Sequence, residues 1–326
     1  MLENSKKNRI FLSRLGSRGA FGKAIYDLLS EGSDLYAVSA DFAIPSGFAK
    51  SIDDFPGRVI DCGIAEQNMI GVAAGMSCPA KPVFATSWGC FSSYRCADQV
   101  RIYMGLMKAN VKLVGLTSGL AGYQLGGSHY CIGDMSLLRG IPGITILSPS
   151  DGIEIYQCVK AACDLEGPVY IRLTGGNRLP MINTSDDYSF EIGKSNDLKT
   201  GSDVLILATG SILDQCMAAA GLLEEKGISC SVTNVSTLKP FPGDVTEKIG
   251  DHKLVAVVEE HNVFGGLGSA VAEECSSLGL NNKVVRIGIP DLVPQTGSYD
   301  YLLKQCGMLP EQIAERIENE YRTSGR

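Results

Sequence analysis

The sequence predicts an α/β protein of two domains, each a mostly parallel sheet flanked by helices. Three observations predict it. Short β-branched runs alternate with longer stretches of helical period, the pattern of strand–helix–strand units. The chain has 326 residues, enough for two domains at roughly 100–200 residues each. It is 44% hydrophobic and 20% charged with 38 glycines, the composition of a soluble protein with a real core and many tight turns.

Along the first half, strands are expected at 35–39, 58–61, 82–85, 111–116 and 169–173, and helices at 20–29, 66–77, 94–108 and 152–164. A polar stretch rich in Asn, Asp, Ser and Pro then runs from Asn177 to Asn196 without sustained period and reads as a linker. A second series follows, with strands at 204–208, 231–235, 254–258 and 284–287 and helices at 213–226 and 267–276. The tail 310–321 reads as a final amphipathic helix with Pro310 in its first turn. The expected organisation is a first domain over 8–178, a linker over 179–198 and a second domain over 199–326.

Composition excludes several function classes. The 36 acidic and 29 basic side chains give a net charge of −7, which argues against a nucleic-acid binder. No apolar run approaches the roughly 18 residues that span a membrane, and residues 1–9 lack the apolar core of a signal peptide. The eleven cysteines are an odd number with no C-x-x-C pair. Free buried thiols in a reducing cytoplasm are the expectation, with no catalytic role.

Some signatures fail. Gly193-Lys194-Ser195 resembles the end of a phosphate loop, but Tyr188 stands where its first glycine belongs. Gly266-Leu267-Gly268 lacks the third glycine of a dinucleotide fingerprint, since Val271 stands there. A tight strand-to-helix turn is favoured. The three histidines, His129, His252 and His261, have no metal-ligand spacing.

The informative stretch is Asp61-Cys62-Gly63-Ile64-Ala65-Glu66-Gln67-Asn68. A short strand ends at a glycine, and Glu66 opens an Ala/Gly-rich helix. Spacing alone does not separate a functional Glu66 from one that merely favours the helix dipole, an effect of about 0.3–1 kcal/mol. The wider pattern does. Ser39-Ala40-Asp41, the Gly-Ile-Ala-Glu-Gln run, Phe91 and Arg95 through Asp98-Gln99, Gly126-Gly127-Ser128-His129, Ser148-Pro149-Ser150-Asp151, Gly167-Pro168-Val169, Glu259-Glu260-His261 and Gly265-Gly266-Leu267-Gly268-Ser269 follow one another in order. Together they resemble the transketolase family of thiamine-diphosphate enzymes, specifically its pyrimidine-binding domain followed by its C-terminal domain.

The resemblance implies roles. Glu66 would hydrogen-bond a ring nitrogen of the aminopyrimidine and favour the imino tautomer, which takes the proton from carbon 2 of the thiazolium. The resulting ylid would attack a ketose carbonyl, the cofactor carrying the hard chemistry. Phe91 would stack on the pyrimidine, with Ile64 and Arg95 completing the cofactor side. Asp98 and Gln99 are read as structural. His129 would face the substrate beside the thiazolium on a glycine-rich loop that lets backbone approach a ligand. Arg18, Ser46, Ser128 and Arg172 complete the expected substrate contacts.

The family's diphosphate site, Gly-Asp-Gly with a downstream Asn, is not in this chain: its three Gly-Asp pairs continue into Met135, Val245 and His252. The resemblance therefore implies the C-terminal subunit of a split transketolase. An N-terminal subunit would hold the diphosphate and Mg²⁺ (or Ca²⁺) in a heterotetramer of two plus two chains. Positions where relatives grip a substrate phosphate fall on Gly175 and near Thr117 or Ser118, and one that reads donor hydroxyls falls on Leu125. Arg18 is kept, with Arg172 or Arg178 as substitutes. The expectation is weak discrimination for common sugar phosphates and a substrate that is unphosphorylated or differently anionic. Two alternatives stand beside this reading: the beta subunit of a thiamine-dependent 2-oxoacid dehydrogenase, and a non-catalytic regulatory or assembly subunit.

Overall fold

A computed structural model describes residues 2–77, 81–175 and 178–324. In chain order the strands are β1 (Tyr36–Ser39), β2 (Val59–Asp61), β3 (Val83–Trp88), β4 (Val111–Leu116), β5 (Thr145–Leu147), β6 (Val169–Arg172), β7 (Asn196–Lys199), β8 (Val204–Thr209), β9 (Cys230–Asn234), β10 (Thr237–Lys239), β11 (Leu254–Asn262) and β12 (Lys283–Ile289). They form a seven-stranded sheet, β10-β5-β6-β4-β3-β1-β2, and a five-stranded sheet, β12-β11-β8-β9-β7. All pairings are parallel except β10 with β5 and β7 with β9. The two mostly parallel sheets carry helices on their faces, as the alternating pattern predicts.

Strands buried on both faces read as near-continuous apolar runs, and β4 and β8 are buried at every residue. The one charge inside β4, Lys112, is accommodated by carbonyl oxygens. Its Nζ donates to Asn110 Oδ1 at 2.7 Å and to the backbone oxygens of Leu165 and Gly167 at 2.5 and 2.6 Å.

Four short helices, Ala49–Asp54, Asp134–Arg139, Gly243–Gly250 and Tyr299–Gln305, were not expected, and two expected helices differ. The first runs over Lys6–Ser30, not 20–29, and is interrupted at Gly16 (φ 70°, ψ 178°). That break and a polar first half hide its period. The segment expected as one α-helix over 94–108 contains two π-helical turns, Phe91–Arg95 and Val100–Leu106, around a short α-turn. Such turns are rare and gather at functional sites.

The two domains share structure. Strand β10 comes from the second half of the chain yet completes the first sheet. One apolar cluster runs from Val38 and Met69 through Met135 and Tyr170 to Leu205, Val257 and Val271. The stretch 179–198 is not a free tether. Leu179 and Asn183 are buried, Asp151 Oδ2 accepts the N–H groups of Ile182 and Asn183 at 2.9 and 2.8 Å, and β7 begins inside it. Gly266-Leu267-Gly268 is a tight strand-to-helix turn, and the carboxylate of Glu259 accepts the N–H groups of Leu267 and Gly268, each at 2.8 Å. The helix start that could hold a phosphate is thus capped by the chain's own side chain. The ten described cysteines are free thiols. No helix among the described residues is long and apolar enough to cross a membrane.

Candidate active site

In open parallel sheets, ligands gather at the carboxyl ends of strands where the strand order reverses. Here β1 lies between β2 and β3, and the candidate residues sit just past these strands and β4. Beyond β1, Asp41 adopts a left-handed conformation (φ 54°), and beyond β4 so does Thr117 (φ 56°). A β-branched residue in that region is an outlier that costs energy and marks constrained backbone. Asp61, at the end of β2, ties two of these turns together. Its Oδ1 accepts the N–H of Asp41 at 3.0 Å and of Gly63 at 2.8 Å.

The Gly63 turn leads to Glu66, the first residue of helix Glu66–Met76 and only 3% exposed. Arg95 Nη1 donates to Glu66 Oε2 at 2.7 Å, while Oε1 has no hydrogen-bond partner among the described residues. The first π-helical turn brings Arg95 back over the ring of Phe91, its guanidinium 4.2 Å from the ring centroid. Gln67 Nε2 holds the Arg95 carbonyl at 3.1 Å, fixing this turn to the Glu66 helix. Ile64, two residues before Glu66, is 77% exposed.

An aromatic chain continues from Phe91. His129 meets its ring edge-on at 5.3 Å and meets Trp88 at 5.2 Å. Trp88 packs on Phe42 at 5.3 Å, and the Arg18 guanidinium lies 6.0 Å from the Phe42 ring. His129 Nδ1 is 3.0 Å from Ser128 Oγ, which leaves Nε2 facing outward from that pair. A cavity of about 180 Å³ opens beside this chain, lined by Arg18, Trp88, Thr117, Gln124, Leu125 and Gly175. A larger one of about 440 Å³, lined by Arg178, Ser211 and Tyr299, shares Tyr123 and Gly175 with it.

The structure thus brings together Glu66, Arg95, Phe91, Ser128 and His129, with Ile64 at their edge and Arg18 at the far end of the aromatic chain. Asp98 turns away to an exposed pair with Arg101 at 2.7 Å. Two expected substrate contacts are corrected. Ser46 is fully buried and donates to the Phe42 carbonyl at 2.6 Å. Arg172 is fully buried in β6, its Nε 2.9 Å from Asp134 Oδ2. A charge in a strand covered on both faces must find its partner inside, as Arg172 does, and the Ser46 hydroxyl is spent on its own turn. Trp88 and Phe42 join the aromatic chain that runs from Phe91 and His129 towards Arg18, a connection that sequence reading missed. Trp88 is the sole tryptophan and ends a central strand beside a glycine, which was the available signal.

The chain matches two family models: transketolase, pyrimidine binding domain, over residues 14–178, and transketolase, C-terminal domain, over residues 193–313. It is 38% identical to the 6-deoxy-6-sulfo-D-fructose transketolase subunit of Clostridium sp. (strain MSTE9), covering 86% of each chain. It is 34% identical to an apulose-4-phosphate transketolase subunit of Phocaeicola vulgatus, covering 92% of this chain and 96% of that one. Among solved structures it is similar to a split gene transketolase described as an inactive beta4 tetramer, with TM-score 0.83, 34% identity and coverage of 94% and 97%. With two family models matched in order and these relatives covered over most of their length, the chain belongs to the transketolase family, whose chemistry depends on thiamine diphosphate.

Proposed function

We propose that this chain is the C-terminal subunit of a two-chain transketolase, which moves a two-carbon ketol unit from a ketose donor to an aldose acceptor. The observation that carries this reading is Glu66. It is a nearly buried carboxylate with one oxygen held by Arg95 and the other without a hydrogen-bond partner among the described residues, placed beside an aromatic ring and a histidine at the carboxyl edge of the sheet.

These residues fit the pyrimidine end of the cofactor: a hydrogen-bonding carboxylate oxygen and an aromatic face beside it. Thiamine diphosphate, when bound, supplies the nucleophilic carbon that opens the ketose and the electron sink that follows. Glu66 holds or releases a proton at Oε1 toward the aminopyrimidine. Phe91 and Ile64 give that ring apolar cover and exclude water. His129, oriented by Ser128, holds or passes a proton at a sugar oxygen through Nε2. General acid–base help of this kind is worth roughly 10²–10⁴-fold.

The diphosphate and its Mg²⁺ (or Ca²⁺) are assigned to an N-terminal subunit, in a cytoplasmic heterotetramer of two plus two chains. The names of the relatives support dependence on a partner: two are called subunits of a transketolase, and the third is an inactive beta4 tetramer. For the substrate, one guanidinium, Arg18, lines the cavity that also holds Thr117, Leu125 and Gly175, the positions where phosphate grips and hydroxyl readout are lost. A ketose with an anion other than the common phosphate, or with none, fits best. One relative is named for a sulfonated sugar and the other for a phosphorylated one.

The test is turnover of ketose by the purified chain with thiamine diphosphate and Mg²⁺, alone and with an N-terminal subunit that carries Gly-Asp-Gly. Activity is expected only in the pair. Full turnover by the lone chain overturns the split assignment, and turnover of pyruvate with a lipoyl carrier moves the chain to the 2-oxoacid dehydrogenases.

A further inference from the structure

His129 stands on a loop that belongs to the first domain but is held by the second. The loop leaves β4 at Thr117 and returns at Ile132. Its neck is closed by a bridge between Gly119 and Cys131, whose N–H groups donate to each other's carbonyls at 2.8 and 3.0 Å. Both sides of this neck are gripped by the tip of β11. On the entry side, Glu260 Oε1 accepts the Leu120 N–H at 2.6 Å. On the exit side, the Asn262 N–H donates to the Ile132 carbonyl at 2.7 Å. Arg172 ties the two together, Nη2 donating to the Glu260 carbonyl at 2.8 Å and to the Cys131 carbonyl at 3.2 Å.

Glu260 is itself immobilised. It is fully buried, and its second oxygen accepts from Tyr299 Oη at 2.6 Å. Gly119 (φ +71°) lies flush against it, and a Cβ there would come within 2.4 Å of Glu260 Oε1. Farther along the loop, Gly126 and Gly127 lie against Thr296 and Val293, each leaving 2.6 Å for an added Cβ. The second domain therefore meets the loop at its neck and along its outer face. A carboxylate accepting from a backbone N–H and a phenol is a strong clamp, because charge-assisted hydrogen bonds are shorter and stronger than neutral ones.

We propose that Glu260, braced by Tyr299, is a positioning residue that sets the His129 loop from the second domain. This gives the second domain a part in the chemistry through the placement of His129. It rests on the reading of His129 as substrate-facing. A misplacement of about 1 Å can cost roughly 10²-fold in rate, so a clamp at the neck is enough to matter.

The test reads the loop and the turnover separately. Trp88 is the sole tryptophan and its ring is 5.2 Å from that of His129. Protonated imidazole quenches indole emission, so the pH titration of Trp88 fluorescence reports how close His129 sits, with His129→Ala as the blank. In Glu260→Ala and in the milder Tyr299→Phe, the amplitude of that titration should fall at least twofold in folded chain, and acrylamide quenching of Trp88 should rise. Glu260→Gln, which keeps an acceptor for the Leu120 N–H, should restore most of both. In the complex with the N-terminal subunit, Glu260→Ala should lower kcat roughly 10- to 100-fold, with Glu260→Gln again the rescue. An unchanged Trp88 titration in folded Glu260→Ala and Tyr299→Phe overturns the proposal. A changed titration with unchanged turnover upholds the positioning of the loop and instead removes His129 from the chemistry.

Discussion

Glu66 and Glu154 are both nearly buried carboxylates in the first turn of a helix, yet they are used in opposite ways. Glu154 lies in the seam between the domains and is saturated. Its two oxygens accept from Ser150 N and Oγ, Asn234 Nδ2, Tyr188 Oη and Ser236 Oγ, all between 2.5 and 3.0 Å. Among the described residues, Glu66 is held by Arg95 on one oxygen alone. Buried polar groups are paired as a rule, so the saturated carboxylate has done its work once the chain folds, and the other retains capacity for a ligand. Away from the Glu260 clamp, substitutions in the seam should cost stability and spare the chemistry of folded molecules. Substitutions at the site should do the reverse.

The largest expected effect is at the site. Glu66→Gln in the reconstituted complex should lower kcat roughly 10²–10⁴-fold, the range of a lost proton-transfer group, while the urea midpoint of the lone chain stays unchanged. A scaffold subunit predicts unchanged turnover for Glu66→Ala, and that result would break the contrast drawn between the two glutamates.

In the seam, Arg172→Met leaves the fully buried Asp134 with the Tyr170 hydroxyl but no guanidinium, and takes one donor from each of the Cys131 and Glu260 carbonyls. Removing one partner of a buried pair costs about 3–5 kcal/mol, to be read from equilibrium denaturation. Conversely, if Arg172→Met raises KM for the ketose without loss of stability, Arg172 reaches substrate after all.

Asp151 gives the seam a pH signature. Burial, reinforced by the neighbouring charge of Glu154, pushes its carboxyl up to about 6, against about 3.9 in an unfolded chain. Between those values the folded chain binds a proton that the unfolded chain lacks. The stability from this group is therefore fully present below about pH 4 and lost as pH rises through about 6, a change of up to about 3 kcal/mol at 1.36 kcal/mol per unit. Urea midpoints of wild type minus Asp151→Asn, taken from pH 4 to 7, should fall along that curve. A flat difference means that the three backbone N–H groups on Asp151 outweigh its burial.

Much of this division was legible in the sequence, and the failures have physical causes. Strands β4 and β8 were readable because burial on both faces leaves near-continuous apolar runs, broken in β4 by Lys112. Strand β5 has three residues, and β10 pairs with a sheet that the rest of its domain does not join; neither length nor period can announce such a strand. Glu66, Phe91 and His129 were readable through a motif order, but the contact of Phe91 with Arg95 was not, since it depends on π-helical turns. Arg172 was expected to reach substrate although its strand was read correctly, because the sequence does not show that Asp134, 38 residues earlier in the chain, meets its guanidinium inside the fold.

The smallest expected effect tests how specific the open site is. Arg18 lines the cavity at the end of the aromatic chain together with Gly175 and Thr117, the positions that the proposed function takes as lost phosphate grips. A charged hydrogen bond lost there is worth about 1.5–3 kcal/mol, roughly 10- to 100-fold in kcat/KM. Arg18→Gln should lower kcat/KM by that factor for a ketose with a sulfonate or phosphate at its far end and leave an uncharged ketose nearly unaffected, so the ratio between the two substrates collapses. The loss should fall on KM more than on kcat, because Arg18 binds the end of the sugar that does not react and binds it equally well before and during the reaction. If wild type instead strongly prefers xylulose 5-phosphate, and Arg18→Gln does not weaken that preference, the phosphate is gripped elsewhere. The larger cavity beside Arg178 is then the place to look, and the reading of the site as stripped of phosphate grips fails with it.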